Sequence, residues 1–144
     1  MCVSYEAKEW LELGSEVLKP VLLRYGFAYK SLDSGISSGG QFACAEFRRE
    51  TRRLEFHFRS SLGMVTYQLK SRSMSHGEYM RSVLGRSNAS HYPGFSSNPL
   101  DAFRDLRLDL EEYGADFLEG TDEGLLLRIE DALSRLGDQL GLPE

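Results

Sequence analysis

Between Phe42 and Leu69 apolar and polar residues alternate with a period of two. Leu54, Phe56 and Phe58 interleave with Glu55, His57 and Arg59, and Gly63, Val65, Tyr67 and Leu69 interleave with Met64, Thr66 and Gln68. Alternation sends successive side chains to opposite faces, so the block predicts antiparallel strands with one buried and one wet face. Ala43, Ala45 and Phe47 belong to the same buried set, and opposed residues of the first hairpin must then sum to an odd number. A sum of 101 sets Arg48 against Arg53 and Glu46 against Glu55, whereas 103 sets Arg48 against Glu55 and Glu46 against His57. Opposed charges contribute roughly 0.2–1 kcal/mol per pair and like charges cost as much, which favours 103, with the turn from Glu50 to Arg53. The second hairpin, turning through Ser60 to Gly63, then brings Thr66 opposite His57 and Gln68 opposite Glu55. The expected wet face reads Cys44, Glu46, Arg48, Glu55, His57, Arg59, Thr66, Gln68.

A period of 3.6 governs the flanks. Trp10, Leu13, Val17, Leu18, Val21, Leu22 and Tyr25 mark a first helix, with Ser4 as N-cap, a kink or break near Pro20, and Gly26 at the end. Phe27, Tyr29 and Ser31 open a possible strand, and the segment DSGISSGG, 33–40, reads as a flexible loop. Ser75 and Glu78 form a capping box ahead of a short helix closed by Gly85. A long loop, 86–98, follows, and Asn98 and Pro99 then start a helix whose stripe of Leu100, Phe103, Leu106, Leu110, Tyr113 and Phe117 ends at Gly120. A last helix runs from about Thr121 to Gly137. The predicted fold is α+β in one domain, 1–144: an N-terminal helix, a three- to four-stranded antiparallel sheet, then three helices, all packed on one side of the sheet.

Composition narrows the function classes. A chain of 144 residues with 41% hydrophobic residues is long enough to bury a core. No apolar run approaches the roughly 20 residues of a membrane span, and the start shows no secretory pattern, so the expected location is cytoplasmic. The two cysteines, Cys2 and Cys44, suggest neither a disulfide framework nor a zinc site. Between Arg48 and Arg72 there are seven bases against two acids, and between Asp101 and Asp131 eleven acids against three bases. The overall charge of −5 weighs against nucleic acid as the main partner. The arginines 48, 49, 52 and 53 have no aromatic platform beside them and read as a solvated turn rather than a phosphate grip.

Two places offer chemistry. On the sheet face, Cys44, His57 and Glu46 have the residue types of an activated thiol, in which a base takes the thiol proton and a carboxylate orients the base. Their spacing is no motif, and an ion pair on a solvated face is the simpler account. His57, Glu46 and Glu55 share that face as potential ligands, but no two histidines have the three- or four-residue helical spacing of a ligand pair. No metal or cofactor is expected. The second place is the loop HYPGF, 91–95, whose Tyr92 and Phe95 suit an interface if exposed and a satellite core if tucked in. With Asp105, Asp109 and Glu112 on the acid-rich helix behind it, this loop is the expected contact region for another protein.

The sequence Leu18-Lys19-Pro20, then Tyr25-Gly26-Phe27, a strand block and a helical tail containing YPGFSSNPLDAFRDLRLDLEEYGADFLEG, resembles small bacterial proteins in the style of the immunity domains of toxin systems. The resemblance carries no catalytic residues and implies a small acidic protein that acts by binding another protein. The expected function is therefore a non-enzymatic protein-binding module, an immunity-like inhibitor in its most concrete form. The alternative is a small enzyme or ligand-binding protein using the polar sheet face around His57. A homodimer through the sheet face or the last helix stays open.

Overall fold

The computed structural model describes residues 7–37, 40–59, 62–84, 90–92 and 98–139. Cys2, the Ser4 cap, Gly85 and Phe95 lie outside them. The order is α1 (Ala7–Leu22), a short 3-10 turn (Leu23–Tyr25), β1 (Ala28–Ser37), β2 (Gly40–Arg49), β3 (Arg52–Phe58), β4 (Leu62–Leu69), β5 (Arg72–Ser75), α2 (His76–Leu84), α3 (Pro99–Tyr113), α4 (Ala115–Leu118) and α5 (Asp122–Gln139). The five strands pair in chain order as an antiparallel meander. The class is α+β, as expected, with five strands rather than three or four.

The alternation sorts the faces correctly except at the start of β4, where Leu62 is buried and Gly63 exposed after the irregularity between Phe56 and Phe58. Ala43, Ala45, Phe47, Leu54, Phe56, Phe58, Val65, Tyr67 and Leu69 are all buried in one core cluster with Leu11, Leu18, Leu22, Phe103, Leu106, Leu110, Phe117 and Ile129 from the helices. The apolar contacts are partly aromatic: Phe103 of α3 stands edge-on to Phe56 and stacks on Phe58, both at 6.1 Å.

Gly14 makes that seat possible. A Cβ there would lie 2.3 Å from the Phe103 ring, so α1 and α3 approach closely only because Gly14 lacks one. Alanine at 14 gains up to about 1 kcal/mol of helix propensity. Against this, pushing a locked ring costs about 1–3 kcal/mol. Gly14→Ala is thus expected to lower stability by up to about 2 kcal/mol in urea unfolding, net of the propensity gain. A gain in stability would show that the ring is free to move.

Several local expectations need correction. The helix does not break at Pro20 but runs through it to Leu22. Pro20 is exposed, so the carbonyl it leaves unpaired, that of Glu16, is on the wet side, while Leu18, Val21 and Leu22 stay buried. Gly26 then ends the 3-10 turn at φ 87°. The stretch 33–37 is strand rather than loop: after an irregularity between Ser31 and Ser34, β1 continues to pair with β2, Gly35 with Phe42 and Ile36 with Gln41. Residues 72–75 form the fifth strand, and Ser75 ends it while also capping α2, its Oγ accepting from Glu78 N at 3.1 Å. The long helix expected from Pro99 to Gly120 stops at Tyr113, and α4 follows from Ala115. Its N-cap is as expected, Asn98 accepting from Leu100 N at 3.0 Å.

The register correction matters most for function. β2 and β3 pair with a sum of 101, so Glu46 opposes Glu55, Arg48 opposes Arg53 and Cys44 opposes His57. β4 follows with Thr66 opposite Glu55 and Gln68 opposite Arg53. The turn is Glu50 and Thr51, with Glu50 at φ 53°. The reason lies at the hairpin end, where Arg49 and Arg52 form the last pair on the helix side. Arg49 donates to Tyr25 O and Leu118 O, both at 2.7 Å, and covers the Phe27 ring at 4.7 Å. Arg52 is 4% exposed and serves the α4–α5 connection. Charged donors contribute about 1.5–3 kcal/mol per hydrogen bond, which outweighs the roughly 0.2–1 kcal/mol cost of each like-charge pair. The arginine turn is therefore not solvated throughout: two of its four arginines hold the fold.

Candidate functional site

All the helices pack on the face carrying Phe47, Phe56 and Tyr67, leaving the other face of the sheet without a covering element among the described residues. Along this face run Lys30 of β1; Cys44, Glu46 and Arg48 of β2; Arg53, Glu55 and His57 of β3; and Thr66 and Gln68 of β4. Their alternation with core residues dictates their position, and the sum of 101 decides who meets whom.

That register builds a line of four side chains. Gln68 Nε2 donates to Glu55 Oε2 at 3.2 Å, Glu55 Oε1 lies 3.2 Å from His57 Nε2, and His57 Nδ1 lies 3.1 Å from Cys44 Sγ. A carboxylate only accepts, so a neutral imidazole here carries its proton on Nε2 and turns the Nδ1 lone pair to the thiol. Cys44 is 7% exposed, and the His57 side chain 45%. Burial pushes the Cys44 thiol above its ordinary range, and the carboxylates of Glu55 and Asp33 add to that shift, so the sulfur rests protonated.

Glu46 does not join this line. The expected pairing with His57 is replaced by Glu55, two residues away on the same strand, while Glu46 faces Glu55 across the strands. Its side chain is 4% exposed, its Oε2 has no hydrogen-bond partner, and the nearest cation, Arg53 Nε, is 3.9 Å away. A buried acceptor left unmet costs about 1–3 kcal/mol. Among the described residues two clefts lie elsewhere: one of about 160 Å³ between the start of α1 and the paired stretches of β1 and β2 at residues 34–36 and 41–42, and one of about 320 Å³ between the end of α1 and α3, beside Arg24 and Arg107. Among the described residues no group of three or more His, Cys, Asp or Glu is placed to hold a metal ion.

Of the described residues of the expected contact region, Tyr92 and Asp109 are internal. Tyr92 is buried and its hydroxyl donates toward Leu62 O at 2.8 Å and Gly63 O at 2.6 Å, the tucked-in alternative of the two that the sequence left open for it. Burial pushes its phenol up to about 12. Asp109 is 1% exposed and cannot serve as an outward contact. It accepts from His76 Nε2 at 2.8 Å, Ser90 Oγ at 2.9 Å, His91 N at 2.7 Å and Tyr92 N at 2.9 Å. His76 is buried with Nδ1 at 2.6 Å from the Tyr67 hydroxyl. Asp105 stays half-buried, its carboxyl pushed up by burial and by Asp101, with His91 pulling it down and Asp109 adding to the rise. Glu112 stays outside, 3.1 Å from His91 Nε2.

A signal for this internal network was present. Asp109 lies three residues beyond Leu106 and six beyond Phe103, within the apolar stripe of α3, where a carboxylate has to be buried with its donors.

No protein-family model, no curated protein and no solved structure matches the chain. No helix among the described residues is long and apolar enough to cross a membrane.

Proposed function

We propose that this chain is a non-enzymatic protein-binding module that docks through the uncovered face of its sheet, with an immunity-like inhibitor as its most concrete form. The observation that carries the reading is Glu46: a carboxylate oxygen buried at the middle of an uncovered face, without a hydrogen bond, opposite a second carboxylate. A fold under no other demand replaces such a group, and rules broken locally are expected where function is served. The partner that fits is a protein presenting a lysine, an arginine or backbone N–H donors to the part-exposed Glu55, and to Glu46, 4% exposed in the free chain, once the side chains that cover it turn aside on docking. Among its described residues, the region first expected from sequence contributes Asp105 and Glu112, since Tyr92 and Asp109 are committed inside.

Glu46→Met separates function from stability. The free variant loses the unmet acceptor and the repulsion with Glu55, and is expected to gain about 1 kcal/mol in urea unfolding. A partner isolated from the native host with the wild-type chain is expected to bind the variant at least tenfold more weakly, since a buried partner charge loses its counterpart. Equal binding of wild type and variant, or a variant less stable alone, sinks the reading.

A second reading, a small enzyme or ligand-binding protein using the face around His57, is favoured by one observation, the 3.1 Å approach of Cys44 Sγ to His57 Nδ1. An adjacent toxin gene in the genome would favour the first reading, and a metabolic operon the second.

A further inference from the structure

Cys44 is set apart from ordinary buried thiols. Its strand neighbours Ala43 and Ala45 join the core cluster, whereas Cys44 points to the other face and takes no part in it. There it meets a base already oriented for it. Gln68 holds Glu55, Glu55 holds the Nε2 edge of His57, and the free lone pair of Nδ1 is aimed at the sulfur. Two residues along the same strand and on the same face, the buried Glu46 Oε2 adds an acceptor without a donor.

We propose that Cys44 is a peroxide-reactive thiol, with His57 as the base that receives its proton and Glu55 as a positioning residue for that base. The thiol proton passes to Nδ1 as the sulfur electron pair attacks one oxygen of the hydroperoxide. The O–O bond breaks, and the departing oxygen takes the proton from the imidazolium, leaving as water when the reagent is hydrogen peroxide. Sulfur is oxidised to the sulfenic acid and the peroxide is reduced, with no further reactant. At 7% exposure the sulfur admits a reagent of a few atoms more readily than a bulky one, and the half-exposed His57 gives the proton a route to water. Because burial, Glu55 and Asp33 keep the resting thiol protonated, its reactivity depends on the base rather than on a standing thiolate. The chemistry rests on the Cys44–His57 geometry alone and is read on the isolated chain, so it stands or falls separately from the docking reading.

The test uses the full chain carrying Cys2→Ser, which leaves Cys44 as the sole thiol. Hydrogen peroxide is added, the sulfenic acid is trapped with dimedone, and its rate of formation is followed by mass spectrometry. The folded chain is expected to react about tenfold or more faster than the same chain in urea, and His57→Gln to lose about tenfold to a hundredfold. Glu55→Gln is expected to slow the reaction by a smaller factor, which Glu55→Asp restores in part. A folded chain slower than the unfolded one marks a merely sheltered thiol and overturns the proposal, as does a His57→Gln rate equal to wild type. The comparison of folded and unfolded chain needs no substitution on the sheet face, so a variant that fails to fold leaves the test intact. A Glu55→Gln rate equal to wild type removes Glu55 from its positioning role.

Discussion

Replacing Asp109 by alanine is expected to cost about 3–5 kcal/mol of folding free energy, the range seen when one member of a buried charged network is removed. The carboxylate sits on α3 at 1% exposure and is the shared acceptor of four donors from two other parts of the chain. His76 opens α2, while Ser90, His91 and Tyr92 stand just ahead of α3. Without the carboxylate these donors stay buried and unpaired, and the hold on Tyr92, which carries its ring against His76 at 5.7 Å, is lost. Asparagine is no rescue, because one of its two terminal atoms is itself a donor facing donors. The acid limb of stability gives a second readout. Burial alone would raise the Asp109 carboxyl, but the hydrogen bond from His76 and those from His91 N and Tyr92 N outweigh it, and the group is held below its ordinary value. A depressed folded value means the stabilisation is present above the unfolded value of about 3.9 and is lost as pH falls through the lower folded value. Urea midpoints of the wild type should therefore fall on acidification below about pH 4, and Asp109→Asn should flatten that slope. A variant within about 1 kcal/mol of wild type, with an unchanged acid limb, would show that the four donors find water instead.

The faces of the sheet were legible from the sequence because a period of two is a geometric consequence of extended backbone: Leu54, Phe56 and Phe58 could be buried only together. The register was not, because the local charge pairs on the wet face do not set it. Pairs on the wet face, Arg48 with Arg53 and Glu46 with Glu55, are worth little, and the decision lies with Arg49 and Arg52, whose acceptors sit 24 to 70 residues away in the chain. The turns were hidden for a related reason. Glu50 and Lys70 take φ of 53° and 55° where a glycine or asparagine would have announced a two-residue hairpin, so β5 and the true end of β2 carried no local mark. The extension of β1 through Ser34, Gly35 and Ile36 depends on backbone pairing with β2, which composition does not record. The candidate site inherits this: its residue types Cys44 and His57 could be named in advance, but a shift of two residues exchanged Glu46 for Glu55 as the carboxylate beside the imidazole.

Arg52→Ala is expected to lose about 3 kcal/mol, since each buried acceptor left without a donor costs about 1–3 kcal/mol and this guanidinium serves several. Its Nη1 donates to Phe117 O at 2.7 Å and Asp116 O at 3.3 Å, and its Nη2 donates to Gly120 O and to Asp122 Oδ1, the latter at 3.0 Å. These groups end α4 and begin α5, where a helix of four residues leaves its last carbonyls without partners of its own. The side chain thus ties the β2–β3 hairpin to the connection between the last two helices, and Asp122, half-exposed at the start of α5, supplies the countercharge. Most of the loss comes from the carbonyls rather than the ion pair, because water reaches Asp122. Asp122→Asn should accordingly cost less than about 1 kcal/mol, and Arg52→Lys should recover only part of the loss, a single ammonium being unable to span donors that a planar fork places at once. Urea unfolding of the three variants orders them, and an Asp122→Asn loss equal to that of Arg52→Ala would shift the weight from the carbonyls to the charge pair. Because Arg52 selects the sum of 101 together with Arg49, its removal weakens the hold against the register that brings Glu46 opposite His57. Loss of the 3.1 Å approach between Cys44 and His57 would then be read as slower peroxide oxidation in a chain that still folds.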